Sequence, residues 1–541
     1  MQFDEKGTLK RAVTRFNELQ QLRSKHEGVW QEIAEFSTPE RGGFGVTGDY
    51  DVAELRRNML DSTASWANET LINYYYGAIA NPAMPWFELA TYDQRLKDSQ
   101  IVQQHIYTAQ TAMYSVFNNP QRRFYSSLHK ALQDCIPFGT GLTWIEDVPG
   151  KGLHFRAIPL RHAYIDINDV GDTDTFARTF RLTALQMEKT FGGAALSEKL
   201  RKQIENNSTE KHTVVHLVCP TRALNADFSD RKQEYINIYY TEEGNHMLSV
   251  GGFKGFNLAV ARWSSPSDSP YGNGVGMMSI GDSGMIQQML SDTLKGGALS
   301  VLPPMLALDN SVINNEIGMF PSGLTFVNPN TYGGGRLDDI IKPLLTGARP
   351  DYGIELIELI RQSVLRNYYV DKLSSSKNPN VEQTRTEFLG DQQERLMLFA
   401  PQLGFFHDDY LSKCISKVYE IELFAGRIPQ EPPELRESSM SIQYRSPLSR
   451  AQKLQQLQQV MDGATVLTNF EQIKPGITDW LKEKELADWI LDSHTMPWDI
   501  RSTDEEVAAI REQRDQMAQA QQMADIAKTG SEAMKNIEGG R

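Results

Sequence analysis

The sequence predicts a helix-rich α+β fold, and three observations carry that prediction. Two apolar stretches of helical period, Met277 to Leu299 and Gly353 to Leu373, flank a turn-laden segment, residues 303–349. β-branched and aromatic residues alternate through much of the region from Phe138 to Trp263, as half-buried strands do. Beyond residue 446 the chain is polar, rich in glutamine and helical in period.

At 541 residues, with 40% apolar and 23% charged side chains, the chain fits a soluble globular class with several structural regions. No apolar run reaches the roughly 18 residues that a membrane span needs. The start, MQFDEKGTLKR, lacks the apolar segment of a secretory signal. No membrane partner is expected. Cys135, Cys219 and Cys414 are odd in number and far apart, which predicts reduced thiols serving as small buried hydrophobes. The net charge of −14 comes without any Lys/Arg run. A tight grip on nucleic acid normally uses a basic face, so this balance excludes firm holding and leaves transit open.

In chain order, Leu9, Val13, Phe16, Leu19, Leu22, Trp30 and Ile33 predict a helix over residues 9–36, closed by Pro39 and Gly42. A second helix runs from Leu60 to Ala80, and Trp86–Phe87 after it reads as a buried anchor where helix turns into strand. Helices follow over Gln100 to Phe117 and Phe124 to Leu132, then strands at His212 to Val218, Tyr235 to Thr241 and Leu258 to Trp263. In the first rod Ile286, Met289, Leu290, Leu294 and Ala298 share a face. Gly281, Gly284, Gly296 and Gly297 weaken that rod and predict close packing against neighbouring backbones. Pro303 and Pro304 stop it.

The second rod starts at Pro350–Asp351 and presents Ile354, Ile357, Ile360, Val364 and Tyr368. Glu355 and Glu358 near its start and Arg361, Arg366 and Lys372 beyond complement the helix dipole. Residues 374–380 (SSSKNPN) predict a loop. A third helical pattern runs from Thr384 to Ala425, with a kink expected at Pro401. A proline-rich linker follows, then helices from Ser446 to Met461 and over residues 470–493. Thr503 and Glu506 form a capping box opening a last helix to about Lys535. Its face (Val507, Ile510, Met517, Ala524) is thin, so neighbours are expected to stabilise it. Residues 539–541 read as a disordered end.

Patterns that mimic chemistry resolve into structure. Gly139 and Gly141 lack the Lys-Ser/Thr of a phosphate loop and predict a tight turn; Tyr271-Gly272-Asn273-Gly274-Val275-Gly276 predicts a flexible helix entrance. Asp166 to Gly171 opens like a calcium loop, but Val170 and Ala177 stand where ligands are needed. His212 and His216 lie in a strand, which separates them by roughly 13 Å at about 3.3 Å per residue. Asp338–Asp339 and Asp408–Asp409 are adjacent pairs that point apart. No catalytic residue, metal or cofactor is assigned, and the chain is read as a non-enzyme.

One resemblance ties these elements together. Thr384-Arg385-Thr386-Glu387, Gln392-Gln393-Glu394-Arg395-Leu396 and Ile442-Gln443-Tyr444-Arg445-Ser446-Pro447-Leu448 resemble the head-to-tail connector (portal) proteins of short-tailed, podovirus-type bacteriophages. Where that family carries Thr-Ala-Thr-Glu after a methionine, this chain has Gln383 and Arg385. Pro85 to Leu89, Phe155, Ile158–Pro159, Arg178, Arg181-Leu182-Thr183, Phe191–Gly192, Arg262–Trp263 and the Tyr271 to Gly276 glycines match in the same order.

The resemblance implies a portal fold. Its parts would be a wing (residues 1–265), a first stem helix (266–302), a β clip (303–349) and a second stem helix (350–373). A tunnel loop (374–383), a long kinked helix returning to the wing (384–445), a helical crown (446–500) and a C-terminal barrel helix with tail (501–541) would follow. It implies a ring of twelve copies at one capsid vertex of the virion, assembled in the bacterial host cytoplasm. Double-stranded DNA would be packaged and ejected through the ring. Expected partners are further copies of the chain, the terminase packaging motor, tail adaptor proteins, and the major capsid and scaffolding proteins. Lys377, Asn378, Asn380 and Gln383 are expected to face DNA. Tyr332, Gly333, Gly334 and Arg336 are expected at the clip tip, meeting the motor and later the tail. Ile286, Leu290, Leu294, Ile357, Ile360 and Val364 are expected to pack the stem. The rival readings are another non-catalytic tail or scaffold component, and a packaging ATPase or nuclease, which would need a Walker loop or a carboxylate cluster.

Overall fold

The computed structural model describes the chain apart from residues 1–4, 46–49, 92, 94–95, 97–98, 149, 151, 207, 225–232, 244, 267, 309–319, 328–340, 344–349, 374–396, 398, 437–439, 445–459, 468–481, 483–485, 488–489, 492–501, 503 and 539–541. Residues 1–92 with 108–446 form one compact unit, and residues 93–107 with 447–541 form a second.

In the first unit, α1 (Glu5–Ser37) buries Ala12, Phe16, Leu19, Trp30 and Ile33 along one face. Helix α2 (Val52–Asn58) starts on Asp51, whose side chain accepts from the Ala53 and Glu54 N–H groups. Helix α3 (Thr63–Ile79) and strand β1 (Phe87–Thr91) follow. Helix α4 (Gln100–Asn118) begins in the second unit and ends in the first. Trp86 is buried beside the Phe87, Phe117 and Phe124 rings. Helix α5 (Phe124–Phe138) runs past Leu132, because Cys135, Ile136 and Phe138 extend its buried face. Pro137 sits in the last turn, and Gly139 closes the helix at φ +94°.

Two antiparallel sheets come next. Strands β2 (Thr140–Val148) and β3 (Gly152–Ile158) form a hairpin. Strands β4 (Ala163–Ile167) and β5 (Thr173–Thr183) begin a meander. Helices α6 (Ala184–Phe191), opened by a Thr183–Gln186 capping box, and α7 (Glu198–Glu205) interrupt it. Strands β6 (Lys211–Pro220), β7 (Tyr235–Thr241) and β8 (His246–Phe253) complete five strands in sequence order. Strand β9 (Leu258–Arg262) returns to pair with β2.

Period-two alternation splits the five-stranded sheet cleanly. Val215, Leu217, Ile236 and Ile238 pack with Phe16 and Leu19 of α1. On the other face Phe176 and Val218 join Trp144, and Val214 joins Met187 and Leu200.

The two rods are α8 (Val275–Val301) and α9 (Pro350–Asn367). Between them β10 (Met305–Leu308), β11 (Leu324–Val327) and β12 (Ile341–Pro343) make a three-stranded sheet in the order β11-β10-β12. The second rod is shorter than its period suggests. It stops at Asn367, Tyr369 takes φ +59°, and α10 (Val370–Leu373) restarts. Tertiary contacts set that break: Asn367 donates to Asp282, Tyr368 is buried and the Tyr369 ring meets Phe399.

Residues 384–396, the first part of the third helical pattern and one arm of the kink expected at Pro401, lie outside the described residues. Pro401 occupies the first turn of α11 (Ala400–Phe406), where its missing N–H breaks no bond of that helix. A π segment, His407–Leu411, follows α11 before α12 (Ser412–Phe424). That segment is tightly held. Tyr410 shares a 2.8 Å hydrogen bond with Thr143, Arg262 donates to Asp409 at 2.8 Å, and His407 stacks on Tyr444 at 4.1 Å. Helix α13 (Pro433–Arg436) leads to β13 (Met440–Tyr444), which pairs antiparallel with β1, Phe87 opposite Tyr444. All three cysteines are free and buried, and burial pushes their thiols up.

The second unit is helical over residues 460–467 and in α14 (Asp504–Glu538). The side chains described in α14, over residues 506–523 and at Ile526, are all exposed. Among the described residues, no helix is long and apolar enough to cross a membrane.

Candidate functional site: the two-rod hairpin and its anchorage

Rods α8 and α9 pack along each other. The two helices are in contact along their length; Ile286, Ile357 and Val364 are buried, Leu290 and Ile360 are half-buried, and Leu294 is 56% exposed. Gly353 lets the helices approach closely, since a Cβ there would collide with Thr293 Oγ1. Polar groups lock the register. Asp282 on α8 accepts from Ser363 Oγ at 2.8 Å and Asn367 Nδ2 at 3.0 Å on α9.

The hairpin is tied to the body at one end. Arg361 donates through Nε and an Nη to Asp61, at 2.9 and 2.7 Å. Gln287 on α8 brackets the same turn, accepting from the Leu60 and Asp61 N–H groups and donating to the Asp61 carbonyl at 2.7 Å. Burial alone would raise the Asp61 carboxyl, but hydrogen bonds from Thr63 and Arg361 hold it below the ordinary aspartate value.

The two glycine stretches of the sequence meet at the entrance to α8. A Cβ on Gly139 would strike Gly272 O, one on Gly274 would strike Pro137 O, and one on Gly276 would meet Ile33 and Pro137. Thr140 Oγ1 accepts from the Gly272 N–H at 2.9 Å, and the Trp263 N–H reaches Gly139 O at 3.0 Å. These glycines serve backbone-to-backbone packing and not a bound phosphate. Along the rod itself, Gly281 and Gly297 face open space, and Gly284 rests on Phe36. The close packing expected of the rod glycines thus falls, within this chain, on the entrance and on Gly353.

Outward, the hairpin exposes large apolar side chains: Met278, Met285 and Leu294 on α8, and Tyr352, Ile354, Leu356 and Leu359 on α9. Met278 and Met285 stand seven residues apart, two turns along one stripe. Lys377, Asn378, Asn380 and Gln383 lie outside the described residues, as do Tyr332, Gly333, Gly334 and Arg336.

The metal-like patterns are otherwise engaged. His212 lies between Glu243 and Gln203 at 2.7 Å each. Burial holds His216 neutral; its Nδ1 accepts from Arg178 and its Nε2 donates to Asn237. Asp166 accepts from Arg15, and Asn168 caps its own turn by accepting from the Val170 and Asp172 N–H groups. Among the described residues no three His, Cys, Asp or Glu gather as a metal site. Sequence reasoning missed Asp61, Gln287 and Arg361 as an anchor. The only sequence signal was an Asp two residues before a helix start.

A helical hairpin with a small sheet between its arms, rooted in an α+β body and apolar on its outer flanks, describes a structural assembly protein. The chain matches the sequence model of the bacteriophage head to tail connecting proteins over residues 9–501, and it belongs to that family. It is 25% identical over 535 residues to the portal protein of Salmonella phage epsilon15, covering 97% of this chain and 95% of that one. It is 24% identical over 532 residues to the probable portal protein of Bordetella phage BPP-1, covering 97% and 94%.

Proposed function

We propose that copies of this chain close into a ring at one capsid vertex and form the conduit for double-stranded DNA during packaging and ejection. The observation that carries this reading is the α8–α9 hairpin with exposed apolar residues on both arms. One chain leaves those flanks in water. A head-to-tail contact repeated around an axis would cover each with the other arm of the next copy. The bare α14 helix fits the same arrangement, since an isolated helix with a thin apolar face is marginal in water.

In this reading the rods form the stem, and the β10–β12 module forms the clip that meets the packaging motor first and a tail adaptor later. Residues 374–383 face the bore, with Lys377, Asn378, Asn380 and Gln383 touching phosphate briefly. An acidic wall keeps DNA sliding, consistent with a net charge of −14 per chain. The role is structural and not catalytic.

Negative-stain imaging of the purified full chain tests the core of this reading. A closed ring with a central hole is expected, and a population of single globules at every concentration would overturn it. Replacing residues 374–380 with a Gly-Ser linker should leave rings intact and impair packaging. Deleting Gly333 to Gly335 should abolish capture of the motor.

A further inference from the structure

A pocket of about 330 Å³ opens in the first unit, between the start of β5, the start of β7, the β8–β9 turn and helix α12. Its charges divide into two sets. Three cations on its wall are already neutralised: Lys413 by Asp172 at 3.4 Å, Arg262 by Asp409 at 2.8 Å and Lys417 by Glu420 at 2.8 Å. Two further wall carboxylates, Asp174 and Glu234, form no ion pair with any described Lys, Arg or His. Asp174 accepts hydrogen bonds from its neighbour Thr175, at 2.9 Å, and from its own backbone N–H. The nearby Arg15 is committed to Glu18 and Asp166.

Two aromatic rings, Tyr235 and Phe256, line the same pocket with centroids 5.3 Å apart. Thr173 Oγ1, also on the lining, is buried without a hydrogen-bond partner. Carboxylates beside aromatic faces, with an acceptor oxygen still free, are the elements that recognise an organic cation. Burial, together with the like charge of Asp166, holds the Asp174 carboxyl above the ordinary aspartate value, outweighing its hydrogen bonds and the attraction of Arg15. A bare metal ion does not fit, because no three metal-binding side chains converge among the described residues.

We propose that this pocket is a binding site for an alkylammonium or guanidinium group, held between Asp174 and Glu234 and against Tyr235 and Phe256. Such a group has two sources, a basic side chain of a protein partner or a free polyamine. The site lies within one chain, so the inference does not depend on ring formation.

Calorimetric titration of the purified full chain distinguishes the outcomes. The probes are N-acetylarginine methylamide, spermidine and the uncharged N-acetylcitrulline methylamide. We expect saturable binding of at least one cation, no binding of the citrulline compound, and roughly tenfold or greater weakening in the Asp174→Asn/Glu234→Gln double variant. Asp292→Asn, a charge change on α8 outside the pocket, should bind as the unaltered chain does. Tighter binding of the arginine compound assigns a partner's side chain, and tighter binding of spermidine assigns a polyamine. The proposal fails if neither cation saturates, if the double variant binds equally well, or if the citrulline compound competes on equal terms.

Discussion

Arg361, on the second rod, donates two hydrogen bonds to one oxygen of Asp61, at 2.9 and 2.7 Å, and so fixes the rod hairpin to the turn before α3. Asp61 is buried while the Arg361 side chain is 36% exposed, so solvent screens part of this pair. Asp61→Asn should therefore lower stability by about 1–2 kcal/mol. The acid limb supplies the sign. The folded Asp61 carboxyl lies below its ordinary value, so its contribution is full above about 3.8 and is lost as pH falls further. Chemical denaturation at pH 7 and at pH 3 should show the variant's deficit shrinking in acid. A deficit that is constant with pH would refute the assignment.

Asp134 runs the opposite way. It is buried on α5, lies 3.0 Å from Arg41 Nε and accepts from the Leu160 N–H at 3.1 Å. Burial pushes its carboxyl up to about 6, although Arg41 and the Leu160 N–H pull it down. The folded chain thus holds this proton more tightly than the unfolded one. Its contribution to stability is greatest below about pH 4, falls as pH rises to about 6 and is level above. Asp134→Asn removes that slope. The variant should gain on the wild type by on the order of 3 kcal/mol across this window. Melting curves at half-unit pH steps check it.

The glycines separate into two kinds that only the structure distinguishes. Gly139 has φ +94° and no room for a Cβ against Gly272 O, so Gly139→Ala should destabilise by on the order of 2–3 kcal/mol. Gly281 is helical and faces open space. Gly281→Ala should stabilise the unassembled chain by about 0.5–1 kcal/mol. Equilibrium unfolding of the two variants side by side, below any assembly concentration, tests both signs.

What was legible in the sequence follows from the range over which each signal acts. The rods, α1 and the His212–Val218 strand announced themselves because their apolar periods are local and strong. The end of α9 did not, because its helical period runs on through Leu373 while Tyr369 is turned left-handed by contacts with distant Phe399 and by Asn367 bonding Asp282. Pro401 was legible only as an interruption. A proline inside an apolar period marks a break, and the chain path adds that it sits in the first turn of a helix. The glycine stretches around Gly139 and Gly274 were each recognisable, yet their meeting is a relation across more than a hundred residues. The Asp61–Arg361–Gln287 anchor is of that kind too, with partners some 226 to 300 residues apart.

The exposed flank of α9 supplies the sharpest test of assembly. Leu359 is 62% exposed and Tyr352 59%, on the side of the rod away from Ile357 and Val364. Because Leu359 makes little contact within the chain, Leu359→Asp should change the stability of the unassembled chain by less than about 0.5 kcal/mol. In a repeated head-to-tail contact, the same substitution places a charge in every interface, where its desolvation is uncompensated. Sedimentation velocity should then show rings for the wild type and single folded chains for Leu359→Asp, with unchanged far-ultraviolet circular dichroism apart from loss of α14 signal. Glu355→Gln, one turn from Leu359 on the same flank but adding no charge, should assemble as the wild type does. Intact rings from Leu359→Asp would mean that this flank faces solvent in the assembly and that the copies join through another surface.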